Sequence, residues 1–462
     1  MSPDATNRRL PLRTLIGFPL ANFGPTLQNC IQMYFLLYFF TNVLGISGTA
    51  AAIVILVARI WDFINDPVMG ILVEKTKRPD KCLFWIRAST VPVAIFMVLT
   101  YTAPHFSTTG KVIWAVLTFI GLGMSQTAYS IPMNTLRPML TTDKAERNRL
   151  NTFESAFGIA ANLIVPAVTM PLVAWLQGFP VSAPFMVLAM IYAVVYLLTS
   201  FVGQRMLRGS EHDEIADTSS GAKIGAGQML KALLTNKVAL LVLLLQVVKM
   251  LVSSTAGACM VYYYQYNIQN LDAMSIMSTI GAVVGLLPVL FLVPLYKKFG
   301  NAGTALLGCC IALAAMVTRF LTHDSSLGII YSMTAVESIG IQLVTALMVQ
   351  CLMDSIDYGE WKTGNKPIAV LMSAYGIGTK VGLAFGATIA GLVTDALHFD
   401  PSAAVQSEGV LSSFFNINVG LPMLMYLCMG LVFVYLKKIE KRLPQMRAEV
   451  EARKQSATKE IG

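Results

Sequence analysis

The chain reads as an all-α membrane protein of about twelve transmembrane helices. Three observations carry that reading. Over 462 residues, 55% are hydrophobic and only 13% charged. The mean hydropathy is +0.63. Apolar runs long enough to cross a bilayer, about 20 residues each, recur along the chain between short polar turns. A soluble domain carries roughly 25% charged residues, and a soluble chain of this length still exposes about a quarter of its unfolded surface. Lipid as solvent removes the conflict. The net charge of +9 does not indicate nucleic acid, because the basic residues sit in short loops between apolar runs. Seven cysteines, Cys30, Cys82, Cys259, Cys309, Cys310, Cys351 and Cys428, show no disulfide or metal-ligand spacing. Most lie inside apolar segments, where Cys acts as a small hydrophobe. The opening MSPDATNRRLPLRT lacks a signal peptide's compact apolar core and cleavage site, so the first span is expected to persist.

The spans are expected near 14–44, 48–73, 83–103, 111–140, 150–176, 183–206, 238–267, 272–296, 302–322, 327–353, 367–396 and 411–437. Lys and Arg mark one set of loops: Arg8, Arg9 and Arg13; Lys75, Lys77, Arg78, Lys81 and Arg87; Lys144, Arg147 and Arg149; Lys297 and Lys298; Lys362 and Lys366; and the tail from Lys437. The opposite loops hold almost none beyond Lys111 and Arg319. By the positive-inside bias both ends face the cytoplasm, in a cell (inner or plasma) membrane. The polar break around GSEHDEIADTSSGAKIG divides the chain. Residues 1–206 form a first six-helix half, 207–237 a connector, 238–437 a second half and 438–462 a charged tail with no assigned role. GILVEKTKRPDKCLFWIR and LVPLYKKFGNAGTALLG place a similar basic turn at the same point in each half. Two repeated six-span halves are the layout of major facilitator transporters.

Function is sought among ionisable residues inside spans, since each costs about 2.5–3.5 kcal/mol at mid-membrane. They are Arg59, Asp62, Asp66, Glu154, Lys249, Glu337 and Lys380. Asp62 and Asp66 are four residues apart, so both carboxylates lie on one helical face, about 6 Å apart along the axis. Two carboxylates so close in a low dielectric do not both stay ionised alone. A proton, a basic partner such as Lys380, or a bound Na⁺, a hard cation suited to oxygen ligands, satisfies them; a static salt bridge between helices is the structural alternative. Arg59, one turn earlier, reads as a counter-charge. Glu154 binds substrate or caps a basic loop, and structural pairing is expected for Lys249 and Glu337. Gly24-Pro25 and Pro132 are expected to interrupt the first and fourth spans where freed backbone meets a cavity. The polar residues around them, Asn22, Thr26, Gln28, Asn29, Gln126, Thr127, Ser130 and Asn134, suit a polyhydroxylated ligand or interhelical hydrogen bonds. The Gly378, Gly382, Gly386 stripe reads as close helix packing, and the Tyr262–Tyr266 run as an interfacial aromatic belt. Four histidines, all in loops, and no nucleophile–base or metal constellation argue against an enzyme, and no re-entrant filter motif argues against a channel. No cofactor is expected.

RIWDFINDPVMG with its basic turn and FWIR, IPMNTLRPMLTTDKAERNRL, and DSIDYGEWKTG together resemble the second-span signature, the fourth-to-fifth connection and the tenth-to-eleventh loop of the glycoside–pentoside–hexuronide:cation symporters. The resemblance spans essentially the whole chain. It implies the major facilitator fold and uptake of a sugar or glycoside with Na⁺ or H⁺ (or Li⁺) by alternating access, in a lipid-embedded monomer. By position it implies Asp62, Asp66, Thr127 and Lys380 at the cation site, with Asp62 and Asp66 as Na⁺ ligands under sodium coupling. The family's sugar-gripping aspartates fall on Thr26 and Ser130, an aromatic on Asn134 and an arginine on Ser155 beside Glu154, so a galactoside is not expected. Asn22, Thr26, Asn29, Ser130, Asn134, Glu154 and Lys380 are the candidate substrate contacts. The competing cargo is amphipathic or anionic, such as a lysolipid or hexuronide.

Overall fold

The structure is a computed structural model that describes residues 9–141, 144–178, 183–210, 235–364, 368–401, 403 and 405–461. The centre of the 207–237 connector, with His212, and Lys366 lie outside the described residues. Within them the regular structure is entirely helical. In order the helices are α1 (Leu12–Tyr38), α2 (Gly48–Lys75), α3 (Lys81–Thr100), α4 (Thr108–Leu140), α5 (Lys144–Gln177) and α6 (Pro184–Met206). Then follow α7 (Lys237–Tyr262), α8 (Leu271–Val284), α9 (Leu287–Phe299), α10 (Asn301–Thr322), α11 (Leu327–Thr363), α12 (Ile368–Ala396), α13 (Glu408–Phe415), α14 (Leu421–Glu440) and α15 (Leu443–Ile461). Short π-helical turns, Phe39–Val43, Tyr263–Asn267 and Asn416–Gly420, extend α1 and α7 and join α13 to α14.

Among the described residues, ten helical stretches are long and apolar enough to cross a membrane. The two remaining expected spans differ for physical reasons. α1 has the length, but ANFGPTLQNCIQ makes it polar. The expected 272–296 span is two helices, α8 and α9, because Pro288 opens α9 and brings no N–H to continue the ladder. The expected breaks at Gly24-Pro25 and Pro132 are absent: α1 and α4 run straight through them. Pro25 strips the Ala21 carbonyl of its helical donor, and the Tyr129 hydroxyl on α4 donates to that carbonyl instead, at 2.8 Å.

The chain divides into two compact units. The first comprises Met1–Ser220, Ala258–Ser275 and Ala387–Val410. In it α1 packs on α5 and α6, and α4 on α2 and α3. The α1–α6 crossing is close because it is built on glycine: a Cβ on Gly203 would meet the Ala21 nitrogen and the Gly17 carbonyl. The ends of α7 and α12 belong to the same unit. Thr41 and Tyr262 share a 2.6 Å hydrogen bond, Asn42 donates to the Tyr266 hydroxyl at 3.2 Å, and Thr49 donates to Asp395 at 2.5 Å. Beside them Gly48 and Gly391 meet backbone to backbone. Tyr262, Tyr263 and Tyr264 are fully buried. These three are core, not the expected interfacial belt.

The second unit comprises Gly221–Gly257, Ile276–Gly386 and Leu411–Gly462. α10 packs on α11 and α14, with Gly308 and Gly340 in backbone contact. Gly382 and Gly386 lie against α7, where a Cβ would strike the Val247 and Leu251 carbonyls; the glycine stripe is a packing face, as expected. The charged tail is the α15 helix, and it is docked. Arg447 pairs with Asp354 at 3.2 Å and Asp357 at 2.7 Å, and Trp361 Nε1 donates to Glu449 at 2.7 Å.

The two basic residues that break the charge bias are each consumed locally. Lys111 donates to the Leu44 carbonyl at 2.7 Å, closing the turn after α1. Arg319 forms a buried bidentate pair with Asp324 at the end of α10, at 3.0 and 2.7 Å.

Candidate functional site

α2 and α4 run side by side in register, and the register builds a charged site. On α2 stand Arg59, Asp62 and Asp66. On α4 stand Phe119, Gly123 and Thr127, each four residues from the next. The Arg59 guanidinium lies 5.8 Å from the Phe119 ring centroid. Asp62 faces Gly123, and a Cβ there would sit 2.6 Å from its carboxylate oxygen, so only glycine lets the helices approach. Asp66 accepts a hydrogen bond from the Thr127 hydroxyl at 2.9 Å. Arg59 is 3.3 Å from Asp62 and donates to Gln32 of α1 at 3.4 Å, which is the counter-charge arrangement expected of it. Both carboxylates are half-buried, with Asp62 at 23% side-chain exposure.

A second polar surface lies on α1, α4 and α5 of the same unit. Residues 22, 26 and 29 share one face of α1. Residues 126, 130, 134 and 137 share one face of α4. Gln126 donates to Asn29 at 2.7 Å. Asn22 donates to Glu154 at 3.2 Å, and Arg137 Nη2 is hydrogen-bonded to both oxygens of that carboxylate. Thr26 donates to the Asn22 carbonyl at 2.8 Å, which leaves its lone pairs as acceptors. Cys30 donates to Asn162 of α5 at 3.4 Å. Ser130 is half-buried, and Asn29 and Asn134 are exposed. Exposed amides at mid-span are costly against acyl chains. Exposed apolar side chains lie elsewhere, among them Ile53, Val57, Ile60 and Ile64 on α2 and Ile113 and Leu117 on α4, and these suit lipid.

Of the expected substrate contacts, Asn22, Thr26 and Glu154 come together directly. Ser130 and Asn134 share the α4 face with Arg137. Lys380 stands exposed on α12, in the second unit. Lys249 donates to Thr345 at 3.0 Å, and Glu337 accepts from Tyr426 at 2.9 Å, so each is paired within the second unit by a hydroxyl. Arg137 is the residue that sequence reading passes over. It lies in the last turn of α4, where Lys and Arg are ordinary, and only its contact with Glu154 marks it. Gly123 was legible in principle, from its spacing of four before Thr127.

Comparison with known proteins gives a consistent result. A family model described as MFS/sugar transport protein matches residues 17–441. The isoprimeverose transporter of Lactiplantibacillus pentosus is 28% identical over 452 residues, covering 96% of this chain and 92% of its own. The inner membrane symporter YicJ of Escherichia coli (strain K12) is 24% identical over 427 residues, covering 92% and 91%. A solved bacterial homolog of the human lysosomal transporter Spinster superposes with a TM-score of 0.64 at 12% identity, covering 95% of this chain and 98% of its own.

Proposed function

Because the chain belongs to the MFS/sugar transport family, a group of multi-pass membrane transporters, we propose that it is a cation-coupled symporter of a sugar or glycoside. The observation that carries the coupling is the α2–α4 register. It sets Asp62 and Asp66 on one face, half-buried, with the Thr127 hydroxyl on one carboxylate and Arg59 on the other. Burial penalises a second negative charge there, and a monovalent cation, Na⁺ or H⁺, relieves it. Under Na⁺ coupling Asp66, Asp62 and Thr127 supply hard oxygen ligands of the kind that ion prefers. Arg59 sits against Asp62 at 3.3 Å and offsets part of the pair's charge.

Substrate is held by hydroxyl-matching groups on α1, α4 and α5: Asn22, Thr26, Asn29, Ser130, Asn134 and Glu154. Cation binding and sugar binding then favour one another along α4, which carries Thr127 about one turn before Ser130 and two turns before Asn134. Transport follows from alternating access. Both chain ends face the cytoplasm, and the protein works as a monomer in the cell membrane. The test is uptake of labelled glycosides into proteoliposomes with and without a Na⁺ or proton gradient. Gradient-driven accumulation is expected, with strong loss in Asp62→Cys and Asp66→Cys. Unchanged accumulation in both variants would overturn the coupling assignment.

A further inference from the structure

We infer that Arg137, Glu154 and Asn22 form a charge-balanced grip that selects a neutral glycoside and disfavours the corresponding uronide. This rests on the sugar-transport reading and adds the charge class of the cargo.

The geometry comes first. One guanidinium nitrogen of Arg137 is hydrogen-bonded to both carboxylate oxygens of Glu154, and Asn22 donates to the same carboxylate at 3.2 Å. Two charges on adjacent helices are thus matched one for one by short charge-assisted hydrogen bonds. The guanidinium carbon lies 5.5 Å from the Phe18 ring centroid, which fixes its plane. Its Nε is buried and has no hydrogen-bond partner among the described residues. The pair is nevertheless reachable, with 40% of the Arg137 side chain and 25% of the Glu154 side chain exposed. It opens onto the polar face that carries Thr26, Ser130 and Asn134.

Chemistry then chooses the ligand. A guanidinium donates only and a carboxylate accepts only. Held side by side, they present a donor next to an acceptor, the complement of two neighbouring sugar hydroxyls, each of which both donates and accepts. A neutral glycoside can add hydrogen bonds to this pair without separating its charges. A uronide carboxylate finds the Arg137 charge already matched by Glu154. It must either sit beside a like charge in a low dielectric or displace Glu154 from Arg137 and leave that carboxylate buried without its cation.

The experiment measures uptake by the full-length protein in proteoliposomes. The probes are a panel of labelled methyl pentosides, methyl hexosides and a xylosyl-glucose disaccharide, alongside the matching methyl hexuronides. Wild type is expected to take up its best neutral substrate at least tenfold better than any uronide. Glu154→Gln, which releases Arg137, is expected to lower that neutral-to-uronide ratio at least tenfold. The charge swap Arg137→Glu with Glu154→Arg keeps the pair and is expected to hold the ratio within threefold. It also serves as the readout should the single variant fail to elute as a folded, monodisperse protein. A wild-type preference for uronides, a ratio unmoved by Glu154→Gln, or a ratio shifted tenfold by the swap would each overturn the inference while leaving sugar transport intact. Uptake of no sugar of either charge would overturn the sugar-transport reading itself.

Discussion

The Tyr129 hydroxyl on α4 donates to the Ala21 carbonyl on α1, the very carbonyl that Pro25 deprives of its own helix's donor. A proline placed at membrane depth thus becomes an interhelical tie rather than a break. Tyr129→Phe leaves that buried carbonyl unpaired, at a cost of about 1–3 kcal/mol, and lowers the melting temperature of the purified protein. Pro25→Ala restores the backbone donor, so the double variant should lose clearly less stability than the sum of the two single changes. Strict additivity in a thermal-denaturation cycle would show that the tie is not what holds Ala21.

Thr127 orients Asp66 from outside the carboxylate. Thr127→Val keeps the volume and removes the donor. By analogy with groups that orient metal ligands, the concentration of coupling cation needed for half-maximal uptake should rise about 10–100-fold. Sugar affinity at saturating cation should change little. Titration of uptake against Na⁺ and against pH measures both quantities.

Gly386 tests the packing of α12 on α7. Its missing Cβ is replaced by the Leu251 carbonyl, so Gly386→Val must push two helices apart, at about 1–3 kcal/mol or more. Gly376 has nothing within 4 Å of where a Cβ would go. Gly376→Ala should be neutral or slightly stabilising, since alanine has the higher helix propensity. Comparing folded yield and melting temperature of the two variants separates steric from propensity effects.

Arg447 fastens α15 to α11 through Asp354 and Asp357. The arginine is more than half exposed, so the pairs are worth less than about 1 kcal/mol each. Arg447→Ala should barely move the global melting temperature. It should speed limited proteolysis within α15, and added salt should do the same to the unaltered protein. Equal cleavage rates in both proteins would mean that Trp361–Glu449 and apolar contacts hold the helix without it.

What the sequence makes legible follows the strength of the physical constraint. Lipid forces backbone hydrogen bonds to close within each segment, so apolar runs locate helices well. The cost of buried charge singles out Asp62, Asp66 and Glu154 before any coordinates. Pairing across helices is not encoded locally. Nothing in the α4 segment alone ties Arg137 to Glu154, and nothing in Pro25 foretells Tyr129. The tyrosine run misleads for the same reason. A belt and a buried cluster have the same composition, and only tertiary packing decides which way the rings face. The charged tail has no assigned role in the sequence because the partners of Arg447, Asp354 and Asp357, lie nearly a hundred residues away.

The meeting of Gly48 with Gly391 has a mechanical consequence. Two bare backbones in contact have no rotamers to freeze when they touch and none to release when they part. The seam between α2 and the end of α12 is smooth, and its making or breaking carries almost no side-chain entropy. Specificity at that seam is left to the neighbouring Thr49–Asp395 hydrogen bond, a fastener that works by direction, beside a surface that offers almost no friction.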